Sequence, residues 1–522
     1  MNDILHVGAR RSAGAHRHTP RQRPAYPVQP LGKPAGELLL RRQIKREKGE
    51  TPSVPTSNME RVSIVNVAVV TGDGQTLHRA SAVHWCGRHI EGVEARGVSD
   101  EEAAALSRHR RVFDGEGLMV WPGIINHHAH GCIPGPLFPS GEPALPCQQV
   151  RSNLDRHLAQ GVTTLVNVCG FCLPEEAAFV ADHPVRVLFT TAHLDTARQA
   201  AAAVGGGKGL RDRHWTASVE AMLAQGAVAI GEIGAGHTLG GRGQDYWYIP
   251  QAVAAATGRT LDPNQARALK LAVLGRRMDP GAFDRSATAR VLADVGLDDV
   301  LTPEQARDLV AACVLPPIGA ALAAFDEAGR LAANLKAAAI FHNSAPSAER
   351  LLAVARRYGQ RGARIIAAHC NHDTFTVEEC VETARRLRQA GAIIDVATFS
   401  LSAEARARMG DFREHFNALA AAGCVDLIST DYNGGHWVGI PVAIAHLVQN
   451  GWASLPQAVA MATANVADVF GLRDRGRLEP GLLADFTIVD ANDPARVAAV
   501  IVGGKVAYDT GRLRHWRERS RA

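Results

Sequence analysis

Six residues able to ligate a divalent ion stand at the ends of apolar runs in this 522-residue chain: His128, His130, Glu232, His342, His369 and Asp431. Imidazole nitrogens and carboxylate oxygens suit divalent transition metals. His128 and His130 are two residues apart, and in an extended strand residues i and i+2 share a face. Both rings would then point at one ion. Four imidazoles and two carboxylates suffice for two ions if one carboxylate bridges them. A lone strand-end histidine usually bonds a backbone carbonyl, and a lone aspartate often caps the next helix. Six such groups at five strand ends are different, because burying each one unpaired would cost several kcal/mol.

The elements that must position them follow from the apolar pattern. Eight short runs suit buried parallel strands, at 119–126, 162–168, 185–192, 227–233, 337–341, 363–368, 392–396 and 425–430. Helical periodicity separates most of them, over 148–160, 218–225, 348–358 and 377–390. This alternation predicts an α/β chain with a (β/α)8 TIM barrel, whose chemistry sits where the strands end. The fourth and fifth runs are too far apart for one crossover, so a helical insertion is expected at about 240–334. Within it, 304–315 and 318–334 read as helices. Alternating β-branched segments lie on either side of the barrel. They predict a small composite β-sandwich from 59–117 and 475–515, leaving 118–474 for the barrel.

Three segments carry a family resemblance. Pro122 to His130 reads PGIINHHAH and resembles the PGxIDxHxH signature of the amidohydrolase superfamily. Ala462 to Leu472 (ATANVADVFGL) and Gly481 to Asp490 (GLLADFTIVD) are similar to that family's closing motifs. Asn126 stands where many members carry aspartate. The resemblance implies a metal-dependent hydrolase barrel with a two-part sandwich beside it. Many dinuclear members bridge their metals with a carboxylated lysine on the fourth strand. None of the seven lysines ends that run, and Glu232 is placed to bridge instead, so the nearest resemblance is to enamidase-like members. By the same resemblance, His128, His130 and Asp431 would hold the first metal, His342 and His369 the second, and Glu232 would join them. Two divalent ions are implied, zinc foremost, with Fe, Mn and Co open. The implied reaction is cleavage of an amide-type C–N bond, in a cyclic amide or N-acyl small molecule, by metal-activated hydroxide, with Asp431 moving the proton.

Other readings use the same residues. A mononuclear deaminase of a nucleobase-like ring would carry glutamate three residues after the fifth-strand histidine; here Ala345 occupies that offset. Lactone or ester hydrolysis would leave the motif unchanged. Substrate-facing candidates on the loops after strands are His193, His237, Asn371, His372 and His436. His127 alternates away from the His128 face and is expected to pack or to support the ligands. Tyr246, Trp247 and Tyr248 would line the pocket or anchor the insertion.

Composition bounds the rest. Net charge is +5, yet residues 1–58 carry eleven Lys/Arg against four Asp/Glu, which is +7. The remaining body is therefore −2 and does not announce a nucleic-acid protein. Residues 1–58 lack Phe, Trp and Cys and hold seven prolines, so a disordered basic tail is expected there, or a start at Met59. Nine irregularly spaced cysteines predict reduced thiols in a cytoplasmic enzyme. The expected partner is a small-molecule substrate, with no nucleic acid or membrane, in a homo-oligomer.

Overall fold

The computed structural model describes residues 59–239, 243–400, 402–403, 412–431 and 437–516. The expected tail, 1–58, lies outside these residues.

The described chain opens with β1 (Arg61–Val70), β2 (Leu77–Cys86), β3 (His89–Glu94), β4 (Arg111–Asp114) and β5 (Leu118–Pro122). β-Branched residues dominate β1, and Ile64, Val67 and Val69 are fully buried. Then come the eight parallel strands: β6 (Ile124–Ala129), β7 (Val162–Asn167), β8 (Arg186–Phe189), β9 (Ile230–Ile233), β10 (Ala338–His342), β11 (Arg364–Ala368), β12 (Ile393–Ala397) and β13 (Leu427–Ser429). They form two sheets, β6-β7-β8 and β9-β10-β11-β12-β13. Isolated parallel bridges join the sheet edges, Thr191 to Ile230 and Ala129 to Asp431. The strand order is thus TIM-barrel-like. Ile125, Val166, Ile340 and Ile366 fill the interior, with Phe470 of the helix Ala464–Phe470 packed among them.

Helices return the chain between strands. In the helix Val377–Gln389, Thr376 and Glu379 form a reciprocal cap. Cys380, Ala384 and Leu387 are buried at i, i+4 and i+7, so one stripe faces the barrel. Burying Leu387 alone contributes roughly 1.5–3 kcal/mol.

The run at 119–126 was expected to be one barrel strand. It is two, because β5 belongs to the flanking sheet, paired with β1 and with β14 (Phe486–Asp490). The chain crosses from sheet to barrel at Gly123, so the boundary falls there and not at 117/118. Pro122 has no N–H to continue a ladder. A Cβ on Gly123 would stand 2.2 Å from Thr163 Oγ1, so only glycine allows that approach. The flanking layer draws strands from both sides of the barrel segment. β15 (Val497–Val502), β16 (Lys505–Asp509) and β17 (Arg514–His515) complete a nine-stranded sheet ordered β16-β15-β14-β5-β1-β2-β3, with β4 between β1 and β17. The strands form one sheet branched at β1, in place of the two facing sheets of a sandwich. Its core holds Trp85 edge-on to Phe486.

The insertion has its own core of Ile249, Val253, Leu269 and Val310, built from the helices Ile249–Thr257, Pro263–Leu274, Arg285–Asp294 and Pro303–Val314. The helix Ile318–Leu335 is not part of it. Phe325, Ala328 and Ala332 are fully buried in the main core, and Phe325 packs on Phe341 of β10. The barrel's own helix therefore starts at Ile318. By length and composition alone, Pro303–Leu335 is apolar enough to cross a membrane; here it is two helices separated at Pro316 and Pro317.

Candidate metal centre

The strand ends bring His128, His130, Glu232, His342, His369 and Asp431 to one place. Ala129 of β6 bridges in parallel to Asp431, which carries that carboxylate to the HxH pair. Asn126 reinforces the seam: its amide donates to Thr430 Oγ1 (2.7 Å) and its oxygen accepts from Thr430 N (3.3 Å). Two ligand-bearing residues, His369 (φ +34°) and Asp431 (φ +56°), adopt left-handed backbone conformations that side chains other than glycine rarely occupy.

Glu232 is fully buried and faces both ways. Its Oε2 lies 3.2 Å from His128 Nε2 and 3.1 Å from His130 Nε2. Its Oε1 lies 3.1 Å from His342 Nδ1 and 2.9 Å from His369 Nε2. Asp431 Oδ1 closes the first group, 3.4 Å from His128 Nε2 and 3.6 Å from His130 Nε2. Two clusters result: His128, His130, Glu232 and Asp431, and Glu232, His342 and His369.

These spacings fit divalent ions. Ligand atoms about 2.1 Å from a tetrahedral ion stand roughly 3.4 Å from one another. Electrostatics agree. Burial disfavours the Glu232 carboxylate, but His128, His130 and His342 hold it well below its usual range. Burial likewise opposes Asp431, and His369 and His128 hold it ionised. His130 is pulled down by burial and lifted to about 9 by Cys169 and Glu232.

Sequence reading missed several supporting residues. Asp395 of β12 is fully buried; its Oδ2 accepts from the His369 N–H (2.8 Å) and the Ser429 hydroxyl (3.1 Å). A lone aspartate inside the apolar run 392–396 was the available signal. Cys169, just past β7, lies 3.6 Å from the other nitrogen of His130. Its spacing to Cys172, a CxxC pair, does not point to His130.

The substrate-facing candidates separate. The His372 ring packs against His342 (5.2 Å) and His369 (5.5 Å). Phe138 contacts His130 (4.7 Å) and His237 (6.5 Å), which links His237 to the centre. Burial holds His237 neutral, down at about 3. A Cβ on Gly243 would fall within 2 Å of the His237 ring, so that glycine leaves the ring its place. His193 stacks on His214 and touches Phe171, and burial also holds it at about 3. Asn371 spends its amide on Ala397, accepting from N and donating to O at 2.8 Å each. It clamps β12, which is a structural task. His436 lies outside the described residues. Tyr248 donates to Glu142 Oε1 (2.8 Å) and so anchors the insertion, while Trp247 beside His237 stays 43% exposed. All nine cysteines are free thiols.

Residues 332–507 match the amidohydrolase family. A segment of 55 residues is 44% identical to adenine deaminase 2 of Desulfotalea psychrophila, covering 10% of each chain. Another, of 134 residues, is 32% identical to imidazolonepropionase of Streptomyces coelicolor, covering 25% of this chain and 32% of that one. The matched segments thus span a tenth to a third of these relatives. Among solved structures, the β-aspartyl dipeptidase of Fervidobacterium islandicum aligns with TM-score 0.48 at 16% identity, over 88% of this chain and 98% of that one.

Proposed function

We propose that the chain belongs to the amidohydrolase superfamily, which residues 332–507 match, and that it is a metal-dependent hydrolase of an amide-type C–N bond in a small molecule, a cyclic amide or N-acyl compound. The observation that carries this reading is the placement of Glu232, one oxygen toward each histidine pair. His128, His130 and Asp431 would hold one ion, His342 and His369 the other, with Glu232 between them. Zinc fits the ligand set, as do Fe, Mn and Co. Bound there, the ions would supply Lewis acidity and lower the pKa of water.

The chain's own residues do the rest. Asp431 is ionised at neutral pH, and its side chain is 24% exposed while Glu232 is closed in. It is the carboxylate placed to accept the proton of an attacking water and return it to the leaving nitrogen. His372, packed on the ligand rings, is positioned to donate to a substrate oxygen, and His237, one ring farther out behind Phe138, would reach a larger substrate. Neutral His237 can do so without adding charge.

A second reading, deamination of a nucleobase-like ring, draws on the similarity to adenine deaminases. The same proton transfer would then end on ammonia. Assaying purified protein against lactams, imides, N-acyl amines and adenine distinguishes the two. Ring-opened or deacylated products without free ammonia support the first; ammonia from adenine supports the second and overturns the first.

A further inference from the structure

A cavity of about 590 Å³ opens where β8 begins, at the end of the strands away from the ligand cluster. Three distant stretches of chain line it: the β2–β3 turn, the approach to β8, and the segment from Arg475 to Lys505. Four of its residues are cations, Arg88, Arg186, Arg475 and Lys505.

Arg475 is buried and already satisfied. Its Nε and Nη2 donate to Asp474 (2.9 and 3.0 Å), and its Nη1 faces Asp485 (3.3 Å) and Thr164. Asp485 also accepts the Gly503 N–H (2.7 Å). Both nearby carboxylates are thus committed. Arg88, Arg186 and Lys505 have no carboxylate within ion-pair reach among the described residues. Burial and the like charge of Arg475 hold Arg186 below its ordinary value. Asp474 and Asp485 offset part of the Arg186 charge, but four cations against two carboxylates leave this solvent-open hollow positive, a field that draws in an anion.

Size narrows the occupant. Pockets for organic ligands span about 300–1,000 Å³, and a bare phosphate would leave most of this one unfilled. Val180, Val187, Leu188 and Val502 give it an apolar wall. We propose that this cavity binds a small organic molecule bearing a di- or polyanionic group, held by Arg88, Arg186 and Lys505. Guanidinium groups grip phosphate and carboxylate alike through paired hydrogen bonds. Because the cavity joins barrel to flanking sheet, its ligand would also tie those layers together.

Isothermal titration of the full-length, metal-loaded protein with pyrophosphate and with citrate, at physiological ionic strength, tests the proposal. Saturable binding of either at one site per chain is expected. Tighter pyrophosphate binding identifies a phosphorylated ligand, and tighter citrate binding a polycarboxylate. The Arg186→Ala/Lys505→Ala variant should weaken that binding by about tenfold or more, and Lys505→Glu should abolish it. Metal content and turnover at the ligand cluster should not change in either. No saturable binding of either anion in the millimolar range, or equal affinity in the double variant, would overturn the site.

Discussion

Asp395 Oδ1 lies 3.1 Å from His127 Nε2, and both side chains are fully buried. Its other oxygen holds the His369 backbone and the Ser429 hydroxyl. One carboxylate on β12 thereby ties together β6, β11 and β13. Those strands lead to His128 and His130, to His369 and to Asp431.

Replacing Asp395 by asparagine keeps the volume and removes the charge. The ligand-bearing strand ends should loosen, and metal affinity should fall by about 10- to 100-fold, as for other groups that orient ligands. Metal retained after dialysis against a graded chelator series checks this, with circular dichroism showing an unchanged fold. Wild-type retention would mean that Asp395 serves packing alone.

Asp431→Asn removes the proposed proton carrier and leaves an oxygen in place. Turnover should drop by about 10²–10⁴-fold, with a much smaller change in KM. Steady-state kinetics on any substrate found for the wild type measures it. A loss confined to KM would assign Asp431 to substrate binding.

His157 is buried beside Asn126, and burial followed by the Arg156 charge lowers it from 6.5 to about 3. Above pH 6.5 it is neutral in both folded and unfolded chains and adds no pH dependence. Below that, the unfolded chain takes up a proton that the folded protein refuses until about pH 3. Stability is therefore lost as pH falls through this window, by roughly 2 kcal/mol at pH 5 from this group. Urea unfolding at a series of pH values measures the slope, which His157→Gln should flatten.

Gly123→Ala should cost about 1–3 kcal/mol by overpacking against Thr163. Thr163→Ala in the same chain should recover part of it, since two of the three clashing atoms disappear. Additive losses in denaturant unfolding would contradict the crowded seam between sheet and barrel.

The parts legible in the sequence were those written in period and type. Each of the eight apolar runs overlaps a barrel strand, and the six ligand candidates converge because all lie at the ends of strands of one parallel set. The division of 119–126 was hidden because its two strands are both fully buried, so no polar residue marks the crossing beyond Pro122-Gly123. The helix Ile318–Leu335 read as part of the insertion, since apolar periodicity does not say which core a stripe faces. The roles of Asp395 and Cys169 were hidden for a related reason. Their partners His127, His369 and His130 are remote in sequence and meet them only through the fold.

The central claim is that Glu232 joins two ions. Quantifying metal by inductively coupled plasma mass spectrometry, in purified full-length protein and in Glu232→Ala, tests it most directly. The account predicts two equivalents of divalent transition metal per chain in the native protein and one or fewer in the variant. One equivalent or less in native protein after reconstitution, or two retained without Glu232, would contradict it.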